Sequence, residues 1–109
     1  MGKFLINLAD FYKISYKIVF NQIIVDKDFS MFDFSNVKFF NCSLKNIAFQ
    51  ASEAVSLTFC NCQFNDVSFS KTDLGSIIFR DCQFINCHFS GAEGYDVRYV
   101  NCQIYTWII

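Results

Sequence analysis

The sequence predicts an all-β fold, a right-handed quadrilateral β-helix (β-solenoid) in which four five-residue units form one coil. Large apolar residues, mostly Phe, recur at every fifth position of the 109-residue chain. The phrases CNCQF, RDCQF and VNCQI return every twenty residues, which is four such units. The helical period of about 3.6 residues and the strand period of about 2 do not produce a repeat of five. A sustained internal repeat of this length is typical of solenoid proteins.

The central position of each unit is expected to point into the coil and to fill its axis. Eleven of the fifteen Phe fall in this register, and from Ile14 onward only Ala54 and Gly94 are small there. Neighbouring coils then pair their backbones at a spacing of about 4.8 Å. The predicted core of large central residues is Phe29, Phe34, Phe39, Leu44, Phe49, Phe59, Phe64, Phe69, Leu74, Phe79, Phe84, Phe89, Tyr99 and Ile104.

Two residues before the centre lies a second inward position, which is mostly small or β-branched. Four cysteines twenty residues apart share one column there: Cys42, Cys62, Cys82 and Cys102. Side chains in such a column run parallel instead of converging, so the pattern favours neither a metal centre nor disulfides. We expect thiols that fill the core, with no metal and no cofactor. The preceding residues, Asn41, Asn61, Asp81 and Asn101, are predicted to be turn residues that bond to local backbone.

This pairing of a small and a large inward residue in each five-residue unit resembles the pentapeptide-repeat family, over residues 25–104. Within it, FSKTDLGSIIFRDCQFINCHFSGAEGYDVRYVNCQI (69–104) is similar to the quinolone-resistance (Qnr-type) pentapeptide proteins. That resemblance implies a non-catalytic, DNA-mimicking rod that binds DNA gyrase or topoisomerase IV and relieves their inhibition by quinolones. A protein-binding scaffold or effector module with no topoisomerase role, and a plain structural rod, stay open as alternatives.

Four carboxylates form a predicted acidic ladder on one outer face: Asp33, Glu53, Asp73 and Glu93, each twenty residues apart. The equivalent column on another face, Lys38, Thr58, Ile78 and Arg98, is not acidic. Like charges that face each other across adjacent strands destabilise a sheet, so folding does not require this ladder. It is either a solvated family feature or a strip that a basic DNA-binding groove accepts in place of phosphates, which lie about 3.4 Å apart along each strand.

Composition and charge favour a protein partner. The net charge of −1 argues against direct binding of nucleic acid. The chain has no run of 18 apolar residues, so no membrane span is expected. No export signal is recognised, which predicts a cytoplasmic location and free thiols. The single histidine, His88, is expected on the surface, and no nucleophile or phosphate-binding motif is found, so we expect no enzyme activity.

The two ends depart from the regular repeat. Residues 1–24 keep the apolar register but not the small position, which predicts an N-terminal cap or an irregular first coil before a repeat β-helix over 25–109. At the other end, Tyr105, Trp107, Ile108 and Ile109 are apolar and form a candidate surface for an end-to-end homodimer. That the chain is a truncated form of a longer repeat protein also stays open.

Overall fold

The computed structural model describes residues 18–30, 34–49, 56–89, 93–105 and 107–108, with the backbone alone at 73, 74, 93–95, 107 and 108. These residues form twelve short strands. In chain order they are β1 (Ile18–Phe20), β2 (Ile23–Asp28), β3 (Lys38–Phe40), β4 (Ser43–Ala48), β5 (Leu57–Cys60), β6 (Gln63–Ser68), β7 (Asp73–Arg80), β8 (Gln83–Ile85), β9 (Cys87–His88), β10 (Glu93–Val100), β11 (Gln103–Ile104) and β12 (Trp107–Ile108).

Each described strand pairs in parallel with the strand one coil away. One sheet has the order β1-β3-β5-β7-β10, and the other has the order β11-β8-β6-β4-β2, with β9 pairing β6 and β12. The partners are twenty residues apart, as in Phe39, Phe59 and Phe79. The predicted β-solenoid is therefore confirmed. Strand β1 and the start of β2 place residues 18–24 in the same stack, because they pair with β3 and β4.

The corners of the coil are left-handed turns that recur every five residues. Twelve described non-glycine residues have φ between 54° and 62°, and ten of them are Asn or Asp. These two residue types tolerate a conformation that in most others crowds Cβ against the backbone carbonyl. The corner at residue 76 departs from the series. Gly75, with φ of 49°, takes the left-handed conformation in place of Ser76, and the pairing of β7 with β10 shifts register at this point.

The corner side chains bond to the same corner of the neighbouring coil. The Nδ2 of Asn41 donates to Oδ1 of Asn21 at 2.7 Å, and the Nδ2 of Asn61 donates to Oδ1 of Asn41 at 3.2 Å. Asn101 donates to Asp81 in the same way at 2.6 Å. The prediction that these are turn residues is confirmed, but their side chains bond to the neighbouring coil and not to the local backbone as predicted. Corners stacked at the strand spacing of about 4.8 Å bring the amides of adjacent coils within reach of each other.

The axis of the solenoid is filled by stacked aromatic rings. Within each stack the ring centroids are 4.8 to 5.5 Å apart and the planes are inclined by 3° to 23°. Rings of different stacks meet edge to face, a favourable arrangement for aromatic pairs. The stacks are Phe39–Phe59–Phe79–Tyr99, Phe49–Phe69–Phe89 and Phe64–Phe84.

Burial follows the five-residue register through most of the stack. Ten of the expected core residues are at most 1% exposed: Phe29, Phe34, Phe39, Leu44, Phe49, Phe59, Phe64, Phe69, Phe79 and Phe84. Phe89 is half-buried. Tyr99 and Ile104 depart from the prediction, since they are 41% and 49% exposed. Both lie in the last described coil, where a neighbouring coil covers one side only. The side chain of Leu74 lies outside the described part.

Candidate functional site

The structure describes two of the four acidic-ladder positions, and at these two it describes the backbone only. Asp73 begins β7 and Glu93 begins β10, and the two residues are paired in neighbouring strands. One coil therefore separates them, as the ladder requires. Asp33 and Glu53 lie outside the described residues. The ladder as a binding surface stays a prediction.

A second acidic surface, the acidic groove, follows β2, β4, β6 and β9. Its volume is about 540 Å³, and its charged lining residues are three carboxylates, Asp26, Asp28 and Asp66, and one cation, Lys27. The backbone N–H of Ser30 donates to Oδ1 of Asp28 at 2.9 Å. Hydrogen bonds from the Ser30 hydroxyl and N–H lower the pKa of Asp28, so this carboxylate is ionised at neutral pH. The groove therefore presents negative charge on the outside of the coil.

Sequence reasoning missed Asp26 and Asp66 as surface charges, because they fall in a corner column. That column reads Asp26, Asn46, Asp66 and Asn86, and all four residues have positive φ. The Nδ2 of Asn46 donates to Oδ1 of Asp26 at 2.8 Å, which holds this carboxylate in line with the next corner. The recurrence of Asp at forty-residue spacing was the signal available in the sequence.

The cysteine column bonds to the backbone and links successive coils. The Sγ of Cys62 lies 3.4 Å from the carbonyl oxygen of Cys60 and 3.6 Å from that of Phe39 in the preceding coil. The hydroxyl of Thr72, at an equivalent position, donates to the carbonyl of Phe49 at 2.9 Å. Cys42, Cys82 and Cys102 repeat the pattern at 3.2 to 3.8 Å.

All six cysteines are free thiols. Hydrogen bonds with the thiols of Cys42 and Cys82, together with burial, raise the pKa of Cys62. In the part of the chain that the structure describes, no three His, Cys, Asp or Glu side chains gather in a way that suits a metal ion. The geometry of the column thus supports a role in packing.

Stability is expected to fall in alkaline solution, because burial raises the pKa of Cys87 from 9.0 to about 11. The thiol of the unfolded chain ionises first as the pH rises, so the folded state loses stability between about pH 9 and 11. The measurement is the urea midpoint at four pH values from 8 to about 11. Cys87→Val is the matched variant, since Val67 is fully buried at the same position one coil earlier. An unchanged pH dependence in this variant would contradict the assignment to Cys87.

Comparison with known proteins identifies the repeat. The family model described as "Pentapeptide repeat region" matches residues 32–106. The chain belongs to the pentapeptide-repeat family. Its fold is similar to that of full-length QnrB1, a plasmid-mediated fluoroquinolone resistance protein, with a TM-score of 0.82 and 17% identity over 97% of this chain and 60% of that one. A trypsin-treated variant of QnrB1 gives a TM-score of 0.77 and 20% identity over 93% of this chain and 50% of that one.

At these identities the likeness to QnrB1 concerns the fold. The pentapeptide-repeat chain spans between 50% and 64% of the length of the three QnrB1 chains compared. The search of curated proteins found no match.

The pentapeptide register continues to the last described residues. Strand β12 pairs with β9, so that Trp107 lies beside Cys87 and Ile108 beside His88. Tyr105 is 62% exposed, and its hydroxyl donates to Oε1 of Gln103 at 2.8 Å. Ile109 lies outside the described residues, so the homodimer through this end stays a prediction. None of the described residues form a helix long and apolar enough to cross a membrane.

Proposed function

We propose that this pentapeptide-repeat protein is a non-catalytic, DNA-mimicking partner of a type II topoisomerase, DNA gyrase or topoisomerase IV, and protects it from quinolones or toxins. The observation that carries the proposal is the likeness of its fold to QnrB1, which is described as a fluoroquinolone resistance protein. The protein acts in the cytoplasm, where a reducing environment keeps its thiols free, and needs no cofactor.

The distribution of charge supports this function. Asp73 and Glu93 lie one coil apart, a spacing of about 4.8 Å, which is of the same order as the phosphate spacing of about 3.4 Å along a DNA strand. The acidic groove adds Asp26, Asp28 and Asp66 on exposed positions. A basic protein groove that normally holds DNA would therefore meet carboxylates at intervals that suit its Lys and Arg side chains.

The rod is short for a DNA mimic, and an end-to-end homodimer would lengthen it. Four regular coils span about 20 Å, which matches about six base pairs of DNA. We propose the end formed by Tyr105, Trp107, Ile108 and Ile109 as the dimer contact. Pairing of two such ends would cover an open sheet edge and the exposed ring of Tyr105.

A scaffold that binds other proteins is the second candidate function. The outward column Gln63, Gln83 and Gln103 is neutral and polar, and the Nε2 of Gln83 lies 3.5 Å from Oε1 of Gln103. Such a surface suits hydrogen bonding to a protein partner without any mimicry of DNA. Binding through this column would be insensitive to loss of the acidic ladder.

Supercoiling by DNA gyrase, with the purified protein titrated in, tests the proposal. We expect protection against a fluoroquinolone at low micromolar protein, or inhibition of supercoiling when the drug is absent. Topoisomerase IV decatenation is measured in parallel, because either enzyme is a candidate partner. If neither enzyme responds in either arm while the protein is folded by circular dichroism, the topoisomerase function is wrong and the scaffold is favoured.

A further inference from the structure

The sheet of β1, β3, β5, β7 and β10 presents an outer surface, the apolar face, and the acidic ladder lies at the other end of β7 and β10, beyond the corner at Gly75. Its outward side chains flank the central residue of each strand, which is Val19, Phe39, Phe59, Phe79 or Tyr99. Four of the seven large apolar side chains that are exposed among the described residues lie on it: Ile18, Phe20, Phe40 and Val100. The other three, Tyr99, Ile104 and Tyr105, belong to the last described coil. Val100 also belongs to that coil, and outside it the exposed large apolar side chains of the described residues, Ile18, Phe20 and Phe40, all lie on this face.

Phe20 and Phe40 make this face distinctive. They are out of the inward register that most Phe follow, and they are partners across β1 and β3, so they lie in one outward column. Their exposed fractions are 59% and 37%. The axis of the solenoid is already filled by other rings, so the fold gains little from two exposed ones. Contiguous exposed apolar side chains of this kind mark interaction surfaces.

The charges on the apolar face are all positive. Lys38, Arg80 and Arg98 point outward among its ten outer positions, and none of the ten is acidic. Arg98 pairs with Asp96 at the adjoining corner, at 3.1 Å. Within the described ranges, neither Lys38 nor Arg80 forms an ion pair. A groove of about 410 Å³ runs along one side of the face, and its lining includes Lys38 and Arg98 together with Asp96, the ion-pair partner of Arg98.

We infer that the apolar face docks a protein segment that presents apolar side chains flanked by carboxylates. The apolar side chains would cover Phe20 and Phe40, and the carboxylates would pair with Lys38 and Arg80. Charge complementarity favours this occupant over a second copy of the same face, which would bring cations towards cations. The inference does not rest on the topoisomerase function, because it uses neither the acidic ladder nor the acidic groove.

The test uses a fluorescently labelled amphipathic peptide with leucines on one helical face and glutamates beside them. A matched peptide has lysines in place of the glutamates. Fluorescence polarisation at low and high salt should show the glutamate peptide binding about tenfold tighter or more, with the difference reduced by salt. Phe20→Ser with Phe40→Ser should weaken binding of the glutamate peptide by about tenfold.

Charge variants isolate the electrostatic part. Lys38→Gln with Arg80→Gln should reduce the preference for the glutamate peptide to about threefold or less. Gln63→Glu with Gln83→Glu is the control, because it changes the net charge by the same amount on a neighbouring face. It should keep the preference, and all variants should keep the urea midpoint of the parent protein.

Four results would overturn the inference. Equal binding of the two peptides would remove the charge argument, and binding unchanged by the two Phe substitutions would place the site elsewhere. Self-association in sedimentation velocity that the Phe substitutions abolish would assign the face to a second copy. Binding to phosphatidylglycerol vesicles without binding to the glutamate peptide would assign it to a lipid surface.

Gyrase protection by the same variants should be unchanged, which separates this surface from the proposed function.

Discussion

Replacing Phe64 by alanine is expected to lower the free energy of unfolding by about 3–5 kcal/mol, the largest effect of any single substitution considered. Phe64 is 1% exposed. Four rings surround it with centroids 4.8 to 5.9 Å away: Phe59, Phe69, Phe79 and Phe84. Strands β4, β6 and β8 hold the coils at a fixed spacing on both sides, so the structure cannot collapse into the cavity that the ring leaves.

Urea unfolding followed by circular dichroism measures this loss. Gln63→Ala is the matched control, because Gln63 is the exposed neighbour in β6 and its truncation should change stability by about 0.5 kcal/mol or less. Coils of a repeat protein can unfold separately, so the slope of the transition is compared along with its midpoint. Equal midpoints for the two variants would show that the central stack does not hold the solenoid together.

Neutralising the acidic ladder is expected to weaken topoisomerase protection by about 100-fold or more. The variant carries Asp33→Asn, Glu53→Gln, Asp73→Asn and Glu93→Gln, which keep the size of each side chain and remove its charge. A basic groove would lose four charge pairs, and such pairs at a protein interface contribute strongly to encounter and affinity. Stability should be unchanged or slightly higher, because like charges on adjacent strands repel each other.

The concentration that gives half-protection in the gyrase assay with a fluoroquinolone is the quantity to measure. The control carries Ser43→Ala, Gln63→Ala, Gln83→Ala and Gln103→Ala, which alter four outward residues on another face without changing the charge. Full protection by the neutral ladder variant would exclude the ladder as the binding surface. Loss of protection in both variants would point to a fold-wide effect instead.

The inward-facing residues could be predicted from the sequence, because the five-residue period determines which side chains point into the coil. A residue such as Phe59 lies twenty positions from Phe39 and Phe79, and the structure stacks all three rings. The corner contacts could not be predicted in the same way. Periodicity shows that Asn41 and Asn61 share a column, but their side-chain torsions decide whether the amides bond locally or to each other. The register shift at Gly75 was hidden for a similar reason, since any nearby glycine can take the left-handed corner.

The outer surface was harder to predict than the core. The ladder could be proposed because its four carboxylates share one column of the twenty-residue repeat. Asp28 and Asp66 belong to two different columns, and these columns come together only in the folded coil, on either side of a corner. Phe20 and Phe40 were overlooked because the five-residue register identifies inward residues only, and neither of them belongs to it. Their exposure became visible when the structure placed them on the outside of β1 and β3.

The parallel pairing at a constant separation of twenty residues has an evolutionary consequence. Many of the thiol, amide and ring contacts described above join a residue to its counterpart, or near counterpart, in the next coil. After duplication or loss of one complete twenty-residue coil, each remaining coil would still pack against a coil with the same kinds of residues. A gene encoding such a chain can therefore change the length of the rod by unequal recombination, while the chemistry of each remaining turn is preserved.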